Sequence, residues 1–387
     1  MRTIPRIGIA CLSMTLVLGA STALGQEEKP VSLDSTPRGI SLSLFDEDPA
    51  HRLIITGFGV GTFAYNFNTD TNSFDDSALA IAFSKVISDH LSIFGQLTAS
   101  REAALPFVGA EPAGDVSTDI DNLQLTWYPS SRSSLAVTIG KFDSPIAIER
   151  DDAPLNLQAT SSWTFDFARP VKFTGIEVYK SFTPTFEGWA MLANGWDVDR
   201  DNNKAKTGAV YGLWSPSLAA HVGLGVIYGP EKDDRTGDSR TTVVGTLLFQ
   251  PMEKWVWGGE GVFGSEPHSA EDGGTAEWYA AMLFTHHRFG KHWALTARGD
   301  YLDDRDGSRT GQRQILESFT ISPQYLIGGG FYGIFHYLER TSLRLPDVAV
   351  RLDLRYDHSS EQVFATRNPD EGKRDNFLAT LQTVFLF

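Results

Sequence analysis

The sequence predicts an all-β fold, a transmembrane antiparallel β-barrel of about sixteen strands, on three observations. Apolar side chains recur with a period of two in segments of about ten residues, the length a tilted strand needs to cross the hydrocarbon of a bilayer. The connections alternate between short turns and long polar loops, the mark of a barrel with short periplasmic turns and long extracellular loops. The chain stops on "FLATLQTVFLF", residues 377–387, an alternating stretch with no polar tail.

From the N-terminus, "MRTIPRIGIACLSMTLVLGASTALGQEE" has Arg2 and Arg6, an apolar run from Ile7 to Leu18, and small residues ending at Gly25. This three-part build reads as a secretory signal over residues 1–25, followed by a periplasmic segment at 26–50 and the barrel at 51–387. Cys11, the single cysteine, lies inside the signal, so the exported chain has no thiol for disulfides, metal binding or nucleophilic catalysis. No second apolar run approaches the roughly 18 residues of a membrane-crossing helix. The 25 Phe, 11 Tyr, 9 Trp and 36 Gly suit strands and membrane interfaces instead. The formal charge is −15, and losing Arg2 and Arg6 makes it more negative, which argues against a nucleic-acid partner.

The strands follow as hairpins. "SALAIAFSKVISDHLSIFGQLTAS" puts Leu79, Ile81 and Phe83 on one face, turns at Ser88-Asp89-His90 and returns with Leu91, Ile93 and Leu97. "NLQLTWYPSSRSSLAVTIGKF" repeats the pattern, with Leu123, Leu125 and Trp127 before the turn and Leu135, Val137 and Ile139 after it. Further short turns lie at 181–185, 215–217, 250–254, 288–292 and 345–347. Alternating segments from His51 onward number about seventeen, whereas two periplasmic ends require an even count. A short turn at 345–347 must follow a descending strand, which points to Phe331–Leu345 as that strand and to Gln314–Ile327 as an inward loop. The closing strand must pair with the first, because lipid offers no hydrogen bonds and only a closed sheet pairs every backbone group.

Several stretches are similar to the OmpL-like β-barrel porins of Gram-negative outer membranes: "TIGKFDSPIAIE" (138–149), "FARPVKFTGIEV" (167–178), "NGWDVDRDNNKAKTGAVYG" (194–212), "YLDDRDGSRTG" (301–311) and "VRLDLRYDHSSEQVF" (350–364). The resemblance runs in order from about 138 to the end and implies a porin or channel in the cell outer membrane. The opening "GKF" is shared with phosphate-selective porins, but no lysine cluster appears in these strands.

With Val348, Val350, Leu352 and Leu354 facing lipid, Arg351, Asp353 and Arg355 face the lumen. The same parity puts Arg298, Asp300 and Glu177 inside. These pore-lining candidates either form a salt-bridge ladder that stiffens the wall or discriminate between solutes. Residues 143–170 carry Glu149, Arg150, Asp151 and Asp152 beside Pro145 and Pro154, and form either a constriction inside the lumen or a solvated loop. Asp197, Asp199 and Asp201 repeat at the spacing of calcium ligands, although Asn202 and Gly208 stand where such a loop needs glycine and glutamate.

No nucleophile elbow or zinc helix is present, so the chain is not expected to be an enzyme, and no cofactor is implied. The expected function is a porin with a water-filled lumen, passing small hydrophilic solutes by passive diffusion with a mild cation preference. The alternative is a plugged barrel acting as a structural or adhesive surface protein. Expected partners are outer-membrane lipid, lipopolysaccharide and, by analogy, two further copies in a homotrimer.

Overall fold

The computed structural model describes residues 40–42, 53–74, 77–101, 105–110, 115–130, 133–328, 346–368 and 370–387. Eighteen strands hydrogen-bond into one antiparallel sheet. Two are three-residue stubs, Ile40–Leu42 and Thr71–Ser73, and the other sixteen are the staves of a closed barrel. In chain order the staves are β1 (Leu53–Asn66), β2 (Ser77–Ser88), β3 (Leu91–Arg101), β4 (Ser117–Trp127), β5 (Ala136–Asp143), β6 (Lys172–Thr183), β7 (Phe186–Ala193) and β8 (Thr207–Ser217). They continue as β9 (Ala220–Pro230), β10 (Ser239–Met252), β11 (Trp255–Glu266), β12 (Ala276–Phe289), β13 (Trp293–Asp304), β14 (Gln314–Ile327), β15 (Val348–Ser359) and β16 (Asp375–Leu386).

The ring closes where the C-terminal strand meets the first. β1 pairs with β16 from Phe58↔Leu386 to Asn66↔Leu378. Beyond that ladder Gly57 N donates to Phe387 O at 2.9 Å and Phe387 N donates to Gly57 O at 3.0 Å. The rings of Phe385 and Phe387 cover Gly59 and Gly57, where an added Cβ would stand 2.2 and 2.6 Å from ring carbons. Glycine at these positions lets two terminal aromatics lie against the sheet. The last residue is thus held by backbone pairing and by the contact of its ring with Gly57.

One rim is made of tight connections at 89–90, 184–185, 218–219, 253–254 and 290–292. The last of these contains Gly290, whose φ of 71° is left-handed and favours glycine. The opposite rim carries the long loops, among them 144–171 and 360–374.

The expectation for 312–346 is corrected. Gln314–Ile327 is not a loop: as β14 it pairs with β13 from Trp293↔Tyr325 to Asp304↔Gln314 and with β15 on its other side. Its outward face is Ile315, Phe319, Ile321, Tyr325 and Ile327, while Ser318, Thr320, Ser322 and Gln324 lie on the inward face. Phe331–Leu345, the expected descending strand, lies outside the described residues. Among the described residues β14 ends at Ile327 and β15 begins at Val348, and Leu345 of the turn expected at 345–347 also lies outside them.

Burial separates the two faces sharply. On β12, Leu283 is 68% exposed while its neighbours Met282 and Phe284 are 1% and 7% exposed. The outward side chains are those that lipid would cover. The inward ones are not lining an open tube. From β6 to β12 they are largely apolar, including Tyr179, Trp189, Leu213, Leu248, Val256 and Trp278, and they pack into one core with Phe142, Ile146 and Trp163 from the region of the long fifth connection. Along β6 to β12 these side chains and the inward segment occupy that side of the lumen.

Deleting Phe387 removes two backbone hydrogen bonds with Gly57 and a half-exposed ring lying against it, and is expected to cost about 1–3 kcal/mol. Equilibrium unfolding of the refolded barrel in detergent, compared with full-length protein, reads this difference.

Candidate functional site

The 144–171 segment between β5 and β6 folds inward and is fastened to the wall around much of the circumference. Its base is held by charge. Arg169 pairs with Glu260 of β11, both buried, and its Nη2 donates to Glu149 O at 2.8 Å. Glu260 also accepts the Ile148 amide at 2.8 Å. Arg298 of β13 donates to Glu149 Oε1 at 2.6 Å, Thr160 O at 2.6 Å and Ser161 O at 2.7 Å. Asp300, two residues along the same face, accepts the Trp163 amide at 2.8 Å. Buried ion pairs of this kind are strongly destabilising when one member is removed, because the other charge is left without water or partner.

Beyond the base, the stretch 151–162 crosses to β14, β15 and β16. Asp353 Oδ2 accepts the amides of Ala159 and Thr160 at 3.0 and 2.9 Å and the Thr160 hydroxyl at 2.9 Å. Arg351 donates to Ala153 O at 3.0 Å, and Arg355 donates to Ser161 O at 2.5 Å while pairing with Asp357 at 2.6 Å. Gln324 donates to Leu157 O, and Gln382 donates to Ala159 O at 3.5 Å. On the far side Gln96 of β3 donates to Asp152 Oδ1 at 2.7 Å.

The segment's end at Thr164–Ala168 packs on β11, β12 and β13, with Trp278 Nε1 donating to Ala168 O at 3.0 Å. Above it, Phe107 stacks between Trp163 (5.6 Å between centroids) and Phe364 (5.7 Å), and Val108 N donates to Val363 O at 2.7 Å. Two further long connections thus meet over the inward segment.

Of the pore-lining candidates, Arg298, Asp300, Arg351, Asp353 and Arg355 are brought together by the segment. Glu177 is not. It is buried on the inner face of β6, and its Oε2 has no hydrogen-bond partner. The constriction candidates divide as well. Glu149 accepts the Ser162 amide at 3.1 Å besides the Arg298 pair, and the Arg150 guanidinium donates to Ser144 O. Asp151 and Asp152 join a carboxylate cluster at the top of β4 to β6. There Lys172 Nζ stands 2.9 Å from Asp121, 2.9 Å from Asp143 and 2.7 Å from Asp151. Burial, reinforced by Asp151, Asp143 and Asp121, holds the Asp152 carboxyl well above the usual carboxylate range.

The expected calcium ligands do not converge. Asp197, at a φ of 57°, accepts the Val171 and Lys172 amides at 2.8 and 2.7 Å. Asp199 faces Lys141 at 3.1 Å and Thr174 at 3.2 Å, and Asp201 pairs with Lys206. Among the described residues, the carboxylates close enough to share an ion are Asp143, Asp151 and Asp152, within 4.8 Å of one another. The Lys172 ammonium already sits against two of them.

Sequence reasoning missed Gln96, Gln324, Gln382, Glu260 and Arg169. Four of these are inward-parity residues on staves, so parity could have nominated them. Nothing local marks their partners, which lie far away along the chain.

Lys172→Met leaves three crowded carboxylates without their cation and is expected to destabilise the barrel by about 3–5 kcal/mol. Asp152→Asn mimics the protonated acid and is expected to stay within about 1 kcal/mol of wild type. Denaturant midpoints of the two variants, measured side by side at neutral pH, check both values.

The model of the family "Putative beta-barrel porin-2, OmpL-like" matches residues 58–387. Among solved structures the chain is similar to the anion-selective porin from Comamonas acidovorans, with a TM-score of 0.57 and 10% identity over 87% of this chain and 99% of that one. It is similar to the outer membrane channel DcaP of Acinetobacter baumannii, with a TM-score of 0.58 and 10% identity over 89% of this chain and 100% of that one. It is also similar to Salmonella typhi OmpF in complex with daunomycin, with a TM-score of 0.58 and 9% identity over 87% and 98%. No curated protein matches the chain by sequence. At these identities the structures establish the fold, and the family model goes further: the chain belongs to the OmpL-like β-barrel porin family of outer-membrane proteins.

Proposed function

We propose that the protein passes small hydrophilic solutes across the outer membrane by passive diffusion, through a lumen that residues 144–171 narrow at mid-barrel. The observation that carries this reading is the fastening of the segment to charged residues near the middle of β13 and β15, through Arg298, Asp300, Arg351 and Asp353. A segment held there sets the size of what passes. A mild cation preference is supported by the carboxylates of Asp121, Asp143 and Asp151, which outnumber the ammonium of Lys172 beside them. Fixed charge on a low-dielectric wall attracts counter-ions.

A second reading, a plugged barrel with a structural or surface role, is favoured by the burial of the inward side chains. Thr296 and Asp353 are 0% exposed and Arg298 is 2% exposed.

Planar-bilayer recording separates the two. Wild-type protein is expected to give small conductance steps with a reversal potential on the cation side in a salt gradient, and deletion of 151–162 is expected to enlarge the steps several-fold. Silence from wild type with conductance from the deletion establishes the plugged reading. Silence from both removes the channel reading.

A further inference from the structure

The inward segment is attached in two chemically different ways. Its base and end, 144–150 and 163–170, are held by the buried Arg169–Glu260 and Arg298–Glu149 pairs and also sit in an apolar core: Ile146 and Ala168 are 0% exposed and Trp163 is 2% exposed, with Phe142, Leu213 and Trp278 in the same cluster. Separating those surfaces exposes apolar area to water, which is unfavourable in proportion to the area. The tip, 151–162, meets β13 to β16 mainly through hydrogen bonds, with Ala153 and Leu157 as its apolar contacts. Such bonds can be exchanged for bonds to water at a modest net cost each, larger where the partner is charged.

The wall behind the tip is also incompletely satisfied. The hydroxyls of Thr62, Thr320, Ser322 and Thr380, the Oδ1 of Asp353 and the Nε of Arg351 are buried without hydrogen-bond partners. They lie on four adjacent staves at neighbouring register positions, with Thr320 opposite Arg355, Arg351 opposite Gln382, Asp353 opposite Thr380 and Gln382 opposite Thr62. Each buried polar atom left unpaired is unfavourable, and that cost is relieved when water reaches it. The closed arrangement is therefore weakest along this seam.

We infer that the tip 151–162 is a hinged gate that lifts from the inner faces of β14, β15, β16 and β1 while 163–170 stays packed on β11 to β13, and that Asp353 is its latch. This rests on the channel reading above and states where the passage opens and what it passes. The exposed wall would carry Arg351 with Asp353 and Arg355 with Asp357, and Arg298 with Asp300 lies beside it. These fixed charges cancel in sign, so the open seam adds no charge preference of its own to the mild one set by the Asp121, Asp143 and Asp151 carboxylates, and it admits small neutral and zwitterionic solutes.

Proteoliposome swelling tests the gate, with arabinose as the neutral probe and glycine as the zwitterionic one. Asp353→Ala removes the acceptor of three hydrogen bonds from the tip and is expected to speed swelling several-fold for both probes. Thr62→Val with Thr380→Val removes two unmet hydroxyls, favours the closed seam and is expected to slow swelling. The pair Thr160→Cys with Asp353→Cys, in an exported chain expected to have no other thiol, is expected to block swelling when oxidised and to restore it on reduction. Heat-modifiable gel mobility confirms that each variant is a folded barrel. Wild-type swelling rates in folded Asp353→Ala, or equal rates in the oxidised and reduced cysteine pair, overturn the gate. If those variants are inert while wild type itself conducts and the 151–162 deletion enlarges its steps, the channel reading stands and only the hinge fails. If the deletion is also silent, the channel reading itself is lost.

Discussion

Everything in this molecule depends on one constraint: at membrane depth no water is present to accept or donate a hydrogen bond, so every backbone polar group must find its partner within the sheet. A sheet with edges cannot satisfy that condition. The seam between β1 and β16, carried to the last residue by the exchange between Gly57 and Phe387, is where it is met. Once the ring is closed, each stave has one face toward lipid and one toward the interior, and the period of two along the chain follows. The apolar outward residues are a response to the solvent, whereas the inward ones are free to vary.

That freedom is used unevenly here. Around β6 to β12 the inward side chains are aromatic and aliphatic and form a core with the inward segment, as the two layers of a soluble domain would. Around β13 to β16 they are Arg, Asp, Ser, Thr and Gln, and hold the segment by hydrogen bonds. The first attachment resists wetting and the second tolerates it. A segment held by both is pinned at one end and conditionally held at the other, and the difference lies in the composition of two arcs of one wall.

Much of the fold was legible and some of the site was not, for identifiable reasons. On β15 the alternation of Leu352 and Leu354 with Arg351, Asp353 and Arg355 reads directly, because lipid demands one face and tolerates charge on the other. On β14 the alternation is itself strand-like, and only the even strand count, anchored on a short turn at 345–347, makes a loop of it in the sequence. The spacing of Asp197, Asp199 and Asp201 resembled a metal loop, but the left-handed backbone at Asp197 turns its carboxylate toward the amides of Val171 and Lys172. The charges at 149–152 marked an unusual segment. Its partners were invisible, since a contact such as Trp163 with Asp300 spans 137 residues with no local pattern to signal it.

The alternating charges of the inner wall need not be assigned to stiffening or to selectivity alone. A guanidinium in a lumen of low dielectric is costly unless a carboxylate lies within reach, so any inward arginine that must persist through a closed state requires a neighbouring acid. Arg355 meets this need with Asp357, and Arg298 with Glu149 at 2.6 Å and Asp300 at 3.4 Å. Glu149 belongs to the segment, whereas Asp300 and Asp357 belong to the wall. The wall charges can therefore stay paired while the tip moves. Were the only partner on the segment, lifting it would strand a charge, and the lumen would be locked by the same interaction that lines it.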